Sequence, residues 1–264
     1  MFEAKFGKRG PFYWIVRLTE RLTYAIADLV LATNESVRQI AIQRGGKRPD
    51  KVYVVRTAPK IASIKGPSDL SLKKGREYLV GYVGVMGDAD GLNYLVDAAA
   101  HVVHRLGRKD IQFLLMGTGP EYERLIEQRD RLKLPDFVDL PGRVSNEFLF
   151  TALRTMDVGV SCDPINSYNQ HCTMNKVLEY MAFGKAQVMF DLKEGRESAA
   201  ESAWYVAENS ATRLGETIVA LLDDSRDRER MGQIGAERIS SQLNWEKSVE
   251  QLIRAYDCVL SRPN

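Results

Sequence analysis

The stretch YLVGYVGVMGDADGLNYLVDAAA, residues 78–100, decides the fold. It opens on an apolar run, YLVGYVGV, that reads as a buried strand. Gly84 and Gly87 punctuate the run, and a helix is predicted from Gly91 to Leu106. The same unit recurs downstream. Strand IQFLLMG leads to a helix entered through Pro120, FVDL to a helix capped by Ser145, and DVGVSC through a polar loop to a helix over Thr173–Phe183. AQVMF precedes a short helix near Glu194, and AWYVA a helix over Ala211–Leu222. Six apolar strands alternating with helices predict an α/β fold with a doubly wound, parallel, Rossmann-like sheet covered on both faces.

Upstream, Pro11 stands at a first helical position, and Trp14, Ile15, Leu18, Leu22 and Ile26 recur at helical spacing. LVLAT reads as a short strand, Asn34 caps a helix through Gln43, Gly45 and Gly46 end it, and KVYVV is a second strand. Residues 58–76 are rich in Pro, Gly, Ser and Lys and read as a linker. The chain thus divides into a short α/β segment, 1–57, the linker, and a large domain, 77–264. The tail of that domain is two helices separated near Leu243 and Asn244.

The 264 residues are 44% hydrophobic and 27% charged, as in globular proteins. A net charge of +2 offers no global attraction for nucleic acid. Three cysteines, Cys162, Cys172 and Cys258, form no CxxC pair, so neither a disulfide framework nor a zinc site is expected and a reducing, cytoplasmic compartment is. His101 and His104 share a helix face without a third ligand nearby. No apolar run reaches membrane-spanning length, and the opening residues do not read as a signal peptide.

Ligands of open parallel sheets bind beyond the carboxyl ends of the strands, which selects a few loops. In GVMGDADG, Gly84 and Gly87 let backbone approach a ligand, and the helix that follows offers free N–H groups. A tight strand-to-helix turn explains the same residues. GTGP, with Gly117 and Gly119, reads equally well as a helix start, and Arg143 in PGRVS reads as a phosphate contact or a solvated side chain. Asn175, Lys176 and Glu179 fall within two helical turns. Lys176 and Glu179 share a face, where a surface ion pair is the ordinary reading. The rest of that helix is apolar, and a carboxylate in such a setting needs hydrogen-bond donors, which ribose hydroxyls supply. DAD at Asp88–Asp90 is the one Asp-x-Asp match, and it reads as a cap and dipole partner, so no metal is expected.

TMNKVLEYMAFGK followed by FDLKEGRESA closely resembles the donor-binding domain of glycosyltransferase family 4, the group 1 glycosyltransferases. YVGVMGDADGLNYLVDA, GRVSNEFLFTALRTMDVGV and NWEKSVEQLIRAYDCVL fit the same family. ADLVLATNESVRQIAIQRGGKRPDKVYVVR resembles its crossing from the first domain to the second. The resemblance implies the donor half of the two-domain glycosyltransferase B fold with a remnant of the acceptor-side domain. It also implies transfer of a sugar, with retention and without metal, from a nucleotide donor, UDP-linked by expectation. The implied acceptor is a glycan or a lipid-linked glycan. The implied donor-binding positions are Gly84, Met86, Gly87, Gly117, Arg143, Val144, Thr173, Asn175, Glu179 and Arg196, with Glu179 bonding the ribose. His171 and Lys176 occupy the catalytic positions.

Several positions depart from the family. His171 stands where the family's first glutamate does. Val85 and Asp90 stand where a phosphate-binding arginine and lysine are usual, so Lys176 or Arg196 is expected to supply the positive charge. RTAPK replaces Arg-Asn-Gly-Pro. Family members carry a full acceptor-binding domain ahead of the point where this sequence begins, so a domain, a partial gene or half of a split enzyme is expected. The apolar stripe of the first helix reads ordinarily as core-facing. Without the upstream domain, three fates are open to it: folding onto the large domain, self-association through residues 1–57, or peripheral contact with the inner membrane face. Lys5, Lys8, Arg9, Arg17 and Arg21 would form a basic flank for the last.

Overall fold

The computed structural model describes residue 7 and residues 10–59 and 66–261. Lys5, Lys8 and Arg9 of the basic flank lie outside the described residues, as do linker positions 60–65. The chain forms two compact units.

The larger unit comprises Pro59–Ile165 and Met174–Ser241. Its elements are β3 (Tyr78–Val83), α3 (Leu92–Ala100), β4 (Ile111–Met116), α4 (Tyr122–Arg131), β5 (Val138–Gly142), α5 (Asn146–Thr155) and β6 (Val158–Ser161). They continue with α6 (Asn175–Ala182), β7 (Ala186–Phe190), α7 (Lys193–Ala199), β8 (Ala203–Val206), α8 (Ala211–Asp223) and α9 (Ser225–Ser241). The six strands are parallel in the order β5-β4-β3-β6-β7-β8. The order reverses between β3 and β6, the first and fourth strands of the unit, which makes their carboxyl ends the topological switch point.

Both faces of the sheet are covered, as the continuous apolar runs require. Every residue of β4 and β7 is buried. Along β3, Leu79 faces a cluster with Leu114, Leu153 and Tyr180, while Val80 and Tyr82 face the main core with Phe113, Val160 and Phe190. Each such side chain contributes about 1.5–3 kcal/mol by leaving water. The pairing of β3 with β6 is short, Val80 with Val158 and Gly81 with Gly159. Beyond it the Tyr180 hydroxyl joins the strands: it accepts from Val83 N at 3.1 Å and donates to Val160 O at 3.1 Å. A Cβ on Gly159 would lie 2.6 Å from the Tyr180 ring, so glycine there makes room for it.

The smaller unit holds α1 (Pro11–Ile26), β1 (Val30–Ala32), α2 (Glu35–Gln43), β2 (Val52–Val54) and α10 (Trp245–Leu260), with β1 parallel to β2. Its core is Ala32, Ala41 and Val52, with Tyr24, Val30, Val37 and Ile42 packed around them. Two segments expected within the large domain, Asn166–Thr173 and Gln242–Asn264, gather with this unit instead. Side chains far away in sequence hold them: Asn34 bonds the His171 carbonyl, and Lys51 Nζ lies 2.9 Å from Cys258 Sγ.

Two further expectations are corrected. Residues 66–76 are not a free linker. Asp69 caps a 3₁₀ turn over Leu70–Lys73, Asp69 N donates to Thr155 Oγ1 at 2.8 Å, and Lys73 pairs with Asp157 at 2.9 Å. The stripe on α1 does not face a core: Trp14, Ile15, Leu18, Leu22 and Ile26 are 66%, 55%, 57%, 52% and 83% exposed. The small unit's core has too few elements to cover it. No helix among the described residues is long and apolar enough to cross a membrane.

Candidate functional site

The carboxyl ends of β3, β4 and β5 carry three loops bonded in a row. Gly84 N donates to Met116 O at 3.1 Å, Met86 N to Thr118 O at 3.1 Å, and Gly117 N to Gly142 O at 2.9 Å. The glycines are dictated by this close stacking. A Cβ on Gly117 would sit 1.8 Å from Gly84 O, and one on Gly119 2.5 Å from Met86 O. Gly84 and Gly117 also hold φ of 153° and 145°, which other residues rarely adopt. Met86 is fully buried and anchors the first loop, while Val85 stands 62% exposed at its tip. The Tyr82 hydroxyl donates to Val85 O at 2.8 Å and supports that tip from beneath. Gly87 N donates to Asp90 Oδ2 at 3.1 Å, so Asp90 caps its own turn.

Lys176, from the first turn of α6, passes directly under Gly84: its Cε would lie 3.3 Å from a Cβ there. Its Nζ reaches both oxygens of Asp163, at 2.8 and 2.9 Å, and Asp90 Oδ1 at 3.5 Å, 5.0 Å from the Tyr82 ring centroid. Asp163 is buried and also accepts from Ser161 Oγ at 2.5 Å. Burial opposes a charge on Lys176, but Asp163 outweighs it and leaves the lysine pKa raised. Burial raises Asp90 in spite of Lys176. Lys176 is thus no solvated partner of Glu179. The Glu179 carboxylate, half-buried, makes no hydrogen bond or ion pair among the described residues, and burial holds its pKa above the usual 4.5.

The remaining positions fall in different places. Arg143 is exposed in the loop after β5, with no hydrogen bond or ion pair among the described residues, and Val144 packs against the Leu79 cluster. Arg196 has a protein partner for its charge: its Nη2 bonds Asp191 Oδ2 at 2.7 Å, and the guanidinium stacks 4.1 Å from the Tyr205 centroid, while the side chain stays 55% exposed. Asn175 is exposed at the start of α6. His171 and Thr173 belong to the smaller unit, each held by Asn34 at 2.9 Å. Gly84, Met86, Gly87, Gly117, Lys176 and Glu179 therefore share the larger unit's switch-point region. Asp163, Tyr82 and Tyr180 escaped the sequence reading, although Asp163 follows DVGVSC at a strand's carboxyl end, where the loop rule points.

Comparison with known proteins agrees with this architecture. The chain is 21% identical over 260 residues, 97% of its length and 64% of the relative's, to an uncharacterized glycosyltransferase of Methanocaldococcus jannaschii. It is 27% identical over 183 residues to the alpha-D-kanosaminyltransferase of Streptomyces kanamyceticus, covering 67% of this chain and 45% of that one. It therefore spans less than two thirds of the length of either curated relative. Among solved structures, Anabaena HepE in complex with UDP superposes with a TM-score of 0.74 at 18% identity, over 92% of this chain and 67% of that one. The family profile described as "Glycosyl transferases group 1" matches residues 77–224, more than half of the chain, and the protein belongs to that family.

Proposed function

We propose that this chain is the donor-binding part of a glycosyltransferase that takes a sugar from a nucleoside-diphosphate donor, UDP-linked, and transfers it with retention. The observation that carries the proposal is the crevice floor at the switch point: three glycine loops pinned to one another, Lys176 directly beneath Gly84, and the Glu179 carboxylate without a protein partner among the described residues. The UDP in Anabaena HepE supports uridine as the nucleoside. In this reading Glu179 accepts from the ribose hydroxyls, and the diphosphate lies over the loops at Gly84–Gly87 and Gly117. Lys176 already faces two carboxylates and the N–H groups of Gly84, Met86, Gly87 and Gly117 are already bonded within the loops, so most of the attraction for phosphate comes from Arg143 and from backbone N–H groups other than those four. As the sugar C1–O bond breaks, negative charge grows on the leaving phosphate, and these fixed donors stabilise it without a metal. The acceptor oxygen forms the new bond to C1, and its proton leaves with the departing diphosphate. The acceptor is a glycan or lipid-linked glycan, and its binding groups belong chiefly to a further domain.

Titration with UDP, then an assay of sugar-nucleotide hydrolysis, tests the reading. Binding that survives chelator, with slow turnover, supports it. Binding without turnover supports a second reading, a sugar-nucleotide module or half of a split enzyme that needs a partner domain. Failure to bind UDP and other nucleoside diphosphates rejects both. The exposed stripe of α1 supports an interface on the smaller unit, with self-association or peripheral attachment to a cytoplasmic membrane face as its occupants. Light scattering and flotation with anionic vesicles distinguish them.

A further inference from the structure

The three cysteines meet three different surroundings. Cys162 is fully buried, and burial pushes its thiol well above the ordinary range. Cys172 is half-buried, and its sulfur donates to Tyr168 O at 3.4 Å, a contact that favours the protonated thiol. Cys258, on α10 of the smaller unit, is half-buried as well, but the polarity there is reversed: Lys51 Nζ donates to its sulfur at 2.9 Å. Lys51 closes the 3₁₀ turn Pro49–Lys51 that leads into β2, and it lies 207 residues from Cys258 in sequence. The Tyr53 hydroxyl, from the middle of β2, bonds the same sulfur, and that bond, more than burial, pushes the Tyr53 pKa up. An ammonium and a hydroxyl directed at one sulfur stabilise the thiolate, the form that attacks oxidants.

We propose that Lys51 and Cys258 are an oxidation-driven cross-linking pair, which hydrogen peroxide closes into a covalent bond between the turn before β2 and α10. One peroxide balances the steps. The Cys258 thiolate attacks a peroxide oxygen: an S–O bond forms, the O–O bond breaks, and sulfur gives up two electrons. The leaving hydroxide takes a proton from the Lys51 ammonium and departs as water. A sulfenic acid then stands beside a neutral amine, so the step that oxidises the sulfur also makes the lysine a nucleophile. The amine lone pair attacks sulfur, an S–N bond forms, the S–O bond breaks, and a second water leaves. An external thiol reverses the link by attacking sulfur and releasing the amine. The bond therefore closes under oxidant and opens under reducing conditions. Cys172 has a carbonyl where Cys258 has an amine, so its oxidation does not lead to this product.

The test treats the full chain with hydrogen peroxide and reads intact mass and unreduced peptide maps. The parent is expected to fall by about 2 Da, the loss of two hydrogens, with a peptide carrying Lys51 joined to one carrying Cys258. Dithiothreitol should release the two peptides. Cys258 should be consumed about tenfold faster than Cys172. Lys51→Arg keeps a cation beside the sulfur and removes the amine, so Cys258 should stop at a sulfenic acid that dimedone traps. Lys51→Met removes both, and Cys258 should slow to about the rate of Cys172. Circular dichroism checks that both variants fold as the parent does. A parent with no joined peptide overturns the proposal, whether Cys258 stays a thiol or accumulates as sulfenic or sulfinic acid. So does joining of Cys258 to another residue in preference to Lys51, or a Cys258 oxidation rate unchanged in Lys51→Met.

Discussion

Lys176 Nζ and the Asp163 carboxylate form a buried bidentate pair, at 2.8 and 2.9 Å, beneath the first glycine loop. Taking both charges out of water costs several kcal/mol, and only their close geometry and the Ser161 hydrogen bond return it. Lys176→Met leaves Asp163 buried and unpaired, so it should lower stability by about 3–5 kcal/mol in urea denaturation. Adding Asp163→Leu should recover much of that loss. A single variant within about 1 kcal/mol of the parent would mean that the pair is solvated and the loop has another support.

Glu179→Gln should weaken UDP binding and leave folding intact, because no described residue depends on that carboxylate. Loss of a charge-assisted hydrogen bond costs about 1.5–3 kcal/mol, at least tenfold in affinity by calorimetry. Equal affinity in the variant would move the ribose elsewhere.

The pH dependence has a definite sign. Burial raises the Glu179 pKa in the folded chain above its usual 4.5, so the ionised carboxylate is disfavoured there. Its contribution to stability is present below 4.5 and is lost as pH rises through the raised value. Ribose hydroxyls favour the ionised form, so UDP affinity should climb over that same window and then level off. Asp90, also raised by burial, titrates nearby and remains in Glu179→Gln. A climb that persists unchanged in Glu179→Gln rules out Glu179 as its source.

Gly117→Ala should destabilise the larger unit by at least about 2 kcal/mol, since its methyl meets Gly84 O at 1.8 Å on top of a φ of +145°. Gly107→Ala separates the two effects. Its φ is +70° but nothing lies within 4 Å, so backbone strain alone, about 1 kcal/mol, should appear in thermal melts. Equal costs at the two sites would show that the loops can part.

Leu18→Ser and Leu22→Ser on α1 should each change stability by no more than about 0.5 kcal/mol, as at exposed sites. A loss of about 2–5 kcal/mol in either would place the stripe in a core after all.

Sequence by itself determined the elements and the class of fold. Continuous apolar runs of strand length, glycine at their ends and helices between them have one economical solution, a parallel sheet covered on both faces. All six strands and the caps at Asn34 and Ser145 lie where local pattern puts them, because capping and periodicity act over a few residues. What only tertiary structure decided are the partnerships. The spacing of Lys176 and Glu179 suggested a surface pair, yet Lys176 turns to Asp163, thirteen residues earlier, across the end of a neighbouring strand. Arg196 offered a cation by motif and gives it to Asp191. Asn34 was legible as a cap through its oxygen, while its nitrogen holds a loop some 137 residues away. Helical and strand periods report which face of an element is apolar. They carry no record of which distant polar group meets it, because that depends on strand order and on how the returning chain packs.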